Sequence, residues 1–104
     1  METKFSHEVI SHILEQSLIY QCACPAQVCK NIGEQRALYA YQQGCLNLTD
    51  TDRAVHQSIA SSVMLCHAEM EKCLETILIL ENWDMDTFDM PELLKNKILS
   101  QLLE

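Results

Sequence analysis

The chain has 104 residues, 48% of them hydrophobic, with two glycines, two prolines and a formal net charge of −8. That length makes one domain over residues 1–104 with a single core; so few breakers exclude an all-β chain, and so much apolar content excludes a disordered one. An acidic surface repels phosphate backbones and anionic lipid, which excludes nucleic acid and membrane surfaces as partners.

The N-terminal Met-Glu-Thr-Lys-Phe-Ser-His lacks the apolar run of a signal peptide, and no apolar run is long enough to span a bilayer. A reducing cytoplasm is the expected location, with thiols rather than disulfides.

Apolar residues recur at helical spacing almost throughout. The first helix is predicted over Thr3–Gln21, capped by Ser6 or Thr3, with Phe5, Val9, Ile10, Ile13, Leu14, Ser17 and Tyr20 as its buried stripe. The second opens with Pro25 at its first position, where a missing N–H costs nothing, so Cys24 is its expected N-cap. It runs to about Gln43 and carries an apolar row of Val28, Ile32, Tyr39 and Leu46. A separate row of small residues, Ala26, Gly33, Ala37, Ala40 and Gly44, predicts close approach of a second neighbour.

The third helix is the long one, from Asp50 or Thr51 to Asn82. Thr49 followed by Asp52 resembles a capping box with Asp in place of Glu or Gln. Its expected buried stripe is Val55, Ile59, Val63, Cys66, Met70, Cys73 and Ile77, with Glu69, Glu71, Lys72 and Glu75 in solvent. An acidic link over Asn82–Asp89 carries Trp83 and Phe88, whose rings should pin it to the bundle. Pro91 and Glu92 start a short fourth helix with Leu94, Ile98 and Leu102 inward. The predicted fold is an all-α, four-helix, up-and-down antiparallel bundle.

Six cysteines are several times ordinary usage, and free cysteine is kept or lost mainly for its reactivity. With the second loop centred on Asn47, antiparallel pairing sets Cys29 level with Leu65 and Cys22 level with Lys72. Cys22, Cys24, Cys29, Cys66 and Cys73 should then gather at one end, and Cys45 lies about 24 Å away. The sharp reading is a soft-metal site of Cys22, Cys24 and Cys29 helped by Cys66, Cys73 or the Met70 thioether. Thiolates select Cu(I), Zn or an iron–sulfur cluster. Thiol–disulfide chemistry at Cys22 and Cys24 is a second form of it. Against both, Cys-x-Cys and Cys-x₄-Cys match neither zinc nor thioredoxin-type spacing. Cys66 and Cys73 lie about 10 Å apart on one helix, a spacing that suits small core residues equally well.

His7 and His56 fall at the opposite end of the bundle, level with Leu38. His67 and Glu71 share a helix face but lie off the stripe, which reads as surface, and His12 has no assigned role. Arg36, among small residues, needs a carboxylate, for which Glu15 is nearest by level, or else lines a polar cleft. No Ser–His–acid set, phosphate loop or nucleotide fingerprint is present, so no enzyme activity follows.

Two functions remain: a small metal- or thiol-handling protein, or a metal-free helical interaction module whose cysteines fill the core. The predicted fourth helix carries Leu93, Leu94, Ile98, Leu99, Leu102 and Leu103. They wrap more than the usual stripe of about 100°, which predicts a homodimer or a protein partner through that helix.

Overall fold

A computed structural model describes residues 1–20 and 23–103, and these form four helices and no strand. They are α1 (His7–Ile19), α2 (Ala23–Gly44), α3 (Asp50–Leu80) and α4 (Glu92–Leu103). The fold is the all-α up-and-down bundle expected, with a long third helix and a short last one. No helix is long and apolar enough to cross a membrane.

Local chemistry sets the boundaries. Ser6 caps α1 by accepting the Val9 N–H at 3.1 Å. Thr49 and Asp52 form the capping box of α3, each side chain accepting the other's backbone N–H. At the far end of α3, Asn82 takes a left-handed φ of 61°. Trp83 then donates to Leu78 O and Asn82 to Ile79 O, the paired bonds that close a Schellman turn. In the link that follows, Asp84 Oδ1 accepts the N–H groups of Asp86 and Thr87, both at 2.8 Å. Those two bonds hold the Asp84 carboxyl below the usual range.

The α2 helix packs between α1 and α3. The 13 residues of α1 reach about 20 Å and the 31 of α3 about 46 Å. The α2–α3 hairpin therefore projects beyond α1. The body measures 59 × 24 × 18 Å with a radius of gyration of 17.1 Å, against about 13 Å for a compact chain of this size. The deep core lies at one end, where Ile13, Ile32, Leu74 and Leu78 are fully enclosed. Each such side chain contributes about 1.5–3 kcal/mol. Trp83 is buried there and Phe88 packs edge-on to Phe5 with ring centroids 5.8 Å apart, so the acidic link is pinned as expected. Leu94 joins the same core, and Lys95 lies over the Tyr20 ring at 5.0 Å, which attaches α4.

Four expectations are corrected. The helical turns of α2 begin at Ala23, so Cys24 lies in its first turn rather than at the N-cap; Pro25 stays within the turn whose N–H groups have no partner. The small-residue row does not mediate packing. Ala26 is buried, but Gly33, Ala37, Ala40 and Gly44 are exposed, and a Cβ on either glycine would meet nothing within 4 Å. The buried face of α3 is turned by about one residue, or 100°. It consists of Ala60, Val63, His67, Glu71, Leu74 and Leu78, while Val55, Cys66 and Cys73 are exposed. On α4, Leu94 is half-buried but Leu102 is exposed.

Candidate functional site

The most organised polar feature is a buried network joining three segments. His67 and Glu71 are one turn apart on α3, share a face and are 1% and 4% exposed. Arg36 reaches them from α2. Its Nε donates to His67 Nε2 at 3.0 Å, and one terminal nitrogen donates to Glu71 Oε2 at 3.2 Å and to Phe5 O at 2.5 Å. Glu71 Oε2 also accepts the backbone N–H groups of Lys4 at 2.7 Å and Phe5 at 2.9 Å. A lone buried carboxylate would be costly. Here an arginine and two amides compensate it, and the chain ahead of α1 is clasped to α2 and α3.

Because arginine cannot give up its proton, His67 Nε2 must accept and the ring proton must sit on Nδ1. That nitrogen lies 3.5 Å from Glu71 Oε1. Burial, then the Arg36 charge and the amino terminus, lower the His67 pKa against the pull of Glu71. The arrangement resembles a carboxylate–histidine base, but its outward nitrogen is already occupied by Arg36. It fastens the fold and offers no free base.

The sequence pattern points His67 and Glu71 to solvent and Arg36 toward Glu15, whereas the structure buries the first two and pairs Arg36 with Glu71. The signal available was the His-x₃-Glu spacing together with an arginine that required a carboxylate. Rotation of α3 about its own axis decided the rest.

The thiols do not form a common site among the described residues. Cys29 is 1% exposed, and burial, partly offset by Arg36, pushes its thiol up to about 11. Burial thus favours the protonated thiol over the thiolate that acts as nucleophile. Cys24, Cys66 and Cys73 are exposed and Met70 is half-buried. Cys45 is half-buried, its Sγ donating to Tyr41 O at 3.2 Å. Cys22 lies outside the described residues. Among those described, no group of three or more His, Cys, Asp or Glu side chains is arranged to hold a metal ion.

The histidines go to separate tasks. His56 Nδ1 lies 2.8 Å from Asn47 Oδ1, His12 Nε2 lies 2.7 Å from Asp89 Oδ1, and His7 is exposed at the start of α1. The bond from His12 leads the causes that hold the Asp89 carboxyl below the usual range. It ties α1 to the link before α4.

Two clefts line the projecting hairpin on the side away from the Arg36 clasp. One is bordered by Gln35, Leu38, Ile59, Ser62, Val63 and Cys66, the other by Thr51, Ala54, Val55 and Ile59. No protein-family model, curated protein or solved structure matches the chain.

Proposed function

We propose that this chain is a metal-free helical interaction module that docks protein through apolar helix faces in a reducing cytoplasm. The observation that carries this reading is the leucine face of α4. Leu93, Leu99, Leu102 and Leu103 are 44–88% exposed on a helix of 12 residues. A surface helix normally turns one stripe of about 100° inward and keeps the rest polar. Leucines spread beyond such a stripe suit burial against a partner protein.

Free thiols fit that compartment, since disulfides are rare there. The soft-metal alternative has only the number and clustering of the cysteines in the sequence behind it. Elemental analysis of anaerobically purified protein separates the two. Near-stoichiometric metal that is lost in a Cys24→Ser variant would overturn the module. Photo-crosslinking from Leu102 in cells is expected to give discrete protein adducts that Leu99→Glu abolishes; no adduct would overturn it equally.

A further inference from the structure

The hydrophobic period of α3 and the face that α3 buries do not coincide. Val55, Ile59, Cys66, Met70 and Cys73 lie on one flank at helical spacing. Val55, Cys66 and Cys73 are nonetheless exposed, and Ile59 and Met70 only half-buried. A periodic apolar row of this length is the pattern of a helix face that packs against another helix. Leu38 of α2, 44% exposed, borders the same flank. The two clefts there share Ser58 and Ile59, one lined by α3 alone and the other by α2 and α3, so they adjoin as a groove along α3. Arg36 turns toward the N-terminal segment, and Leu38, two residues on, points about 200° away from it. The groove is thus opposite α1, and α4 makes no close backbone approach to either α2 or α3. A place beside α2 and α3 is left open.

Charge says what fits there. The chain carries −8, yet no Asp, Glu, Lys or Arg lies between Arg36 and Asp50 or between Arg53 and Glu69. Of the residues bordering the groove only Asp50, at its mouth, is charged. Two copies of so acidic a chain repel almost everywhere else, and this is a stretch on which they meet without like-charge contacts. A basic partner would find no counter-charges to pair with, and a lipid surface would find no lysines or arginines. The 59 Å body is long enough for such a face to reach the roughly 800 Å² per partner that stable interfaces bury. Gln35 borders the same groove with its amide oxygen lacking a donor among the described residues.

We propose that this groove is a homodimer interface. The α2–α3 hairpin of a second copy docks isologously, setting Leu38, Ile59 and Cys66 against the same row of its twin and completing a four-helix packing. The proposal rests on the interaction-module reading and gives that module a second copy of the chain as one partner.

Sedimentation equilibrium of the full chain over micromolar to submillimolar concentration tests it. The wild type is expected to dimerise, and Ile59→Glu to weaken the dimer about 100-fold, close to 3 kcal/mol, with helicity unchanged. A Cys66-only variant, which leaves the apolar row intact, is expected to give a covalent dimer with a flexible bismaleimide, and a Cys45-only variant is not. A wild-type monomer throughout the range, a dimer indifferent to Ile59→Glu, or no Cys66 crosslink would overturn the proposal. If such a monomer still gives Leu102 adducts to other proteins, the module stands and only this interface falls. A monomer without adducts removes both. A dimer lost in Leu99→Glu but kept in Ile59→Glu moves the interface to α4.

Discussion

Arg36 donates its Nε–H to His67 Nε2 at 3.0 Å, so the buried imidazole is held neutral with its remaining proton on Nδ1, 3.5 Å from Glu71 Oε1. Protonating it would place an N–H against an N–H and a positive charge beside the guanidinium.

The pH dependence of stability follows from that geometry. The folded state lowers the His67 pKa from its ordinary 6.5, so just below that value the unfolded chain binds more protons than the folded one. This contribution is present in full above pH 6.5, declines as the pH falls, and stops declining below the lowered pKa. His67→Gln keeps an acceptor for Arg36 and removes the titration. Urea midpoints between about pH 7 and 5 should fall less in that variant than in the wild type. Parallel slopes would show that His67 is not the titrating group.

Glu71→Ala should be among the most damaging single changes. It strands Arg36 and leaves the Lys4 and Phe5 amides without their acceptor, which costs about 3–5 kcal/mol for a broken buried pair. Glu71→Gln retains an acceptor oxygen and should lose less. Urea unfolding of both variants ranks them, and equal small losses would mean the clasp contributes little.

Thiol reactivity should divide by burial rather than by position in the sequence. A Cys24-only variant is expected to react with Ellman's reagent in the folded state. A Cys29-only variant should react only on unfolding, because its thiol is enclosed and its pKa is pushed up to about 11. Fast reaction of folded Cys29 would contradict the core placement.

The start of α3 offers a local test. Thr49→Ala removes the acceptor for the Asp52 N–H and should cost about 1 kcal/mol, read as a lowered thermal midpoint. Leu78→Ala, in the deep core at the other end of the same helix, should cost about 2–5 kcal/mol.

What the sequence determined by itself was whatever is decided within a few residues. The Ser6 cap, the Thr49–Asp52 box, the long third helix and the inward face of α1 are all local, set by side chains within one or two turns. The pinning of the link by Trp83 was legible too, because so large an apolar ring has few places to go. Tertiary structure alone decided which part of the broad apolar face of α3 is buried. Periodicity gives the angle of a stripe, but the neighbours fix the helix rotation, and Arg36 of α2 with the segment ahead of α1 drew in His67 and Glu71 instead of Cys66 and Cys73. The same rotation gave Arg36 a carboxylate from α3 rather than from α1. It also separated thiols that the sequence placed together, since residues level with one another along two helices need not face each other across them.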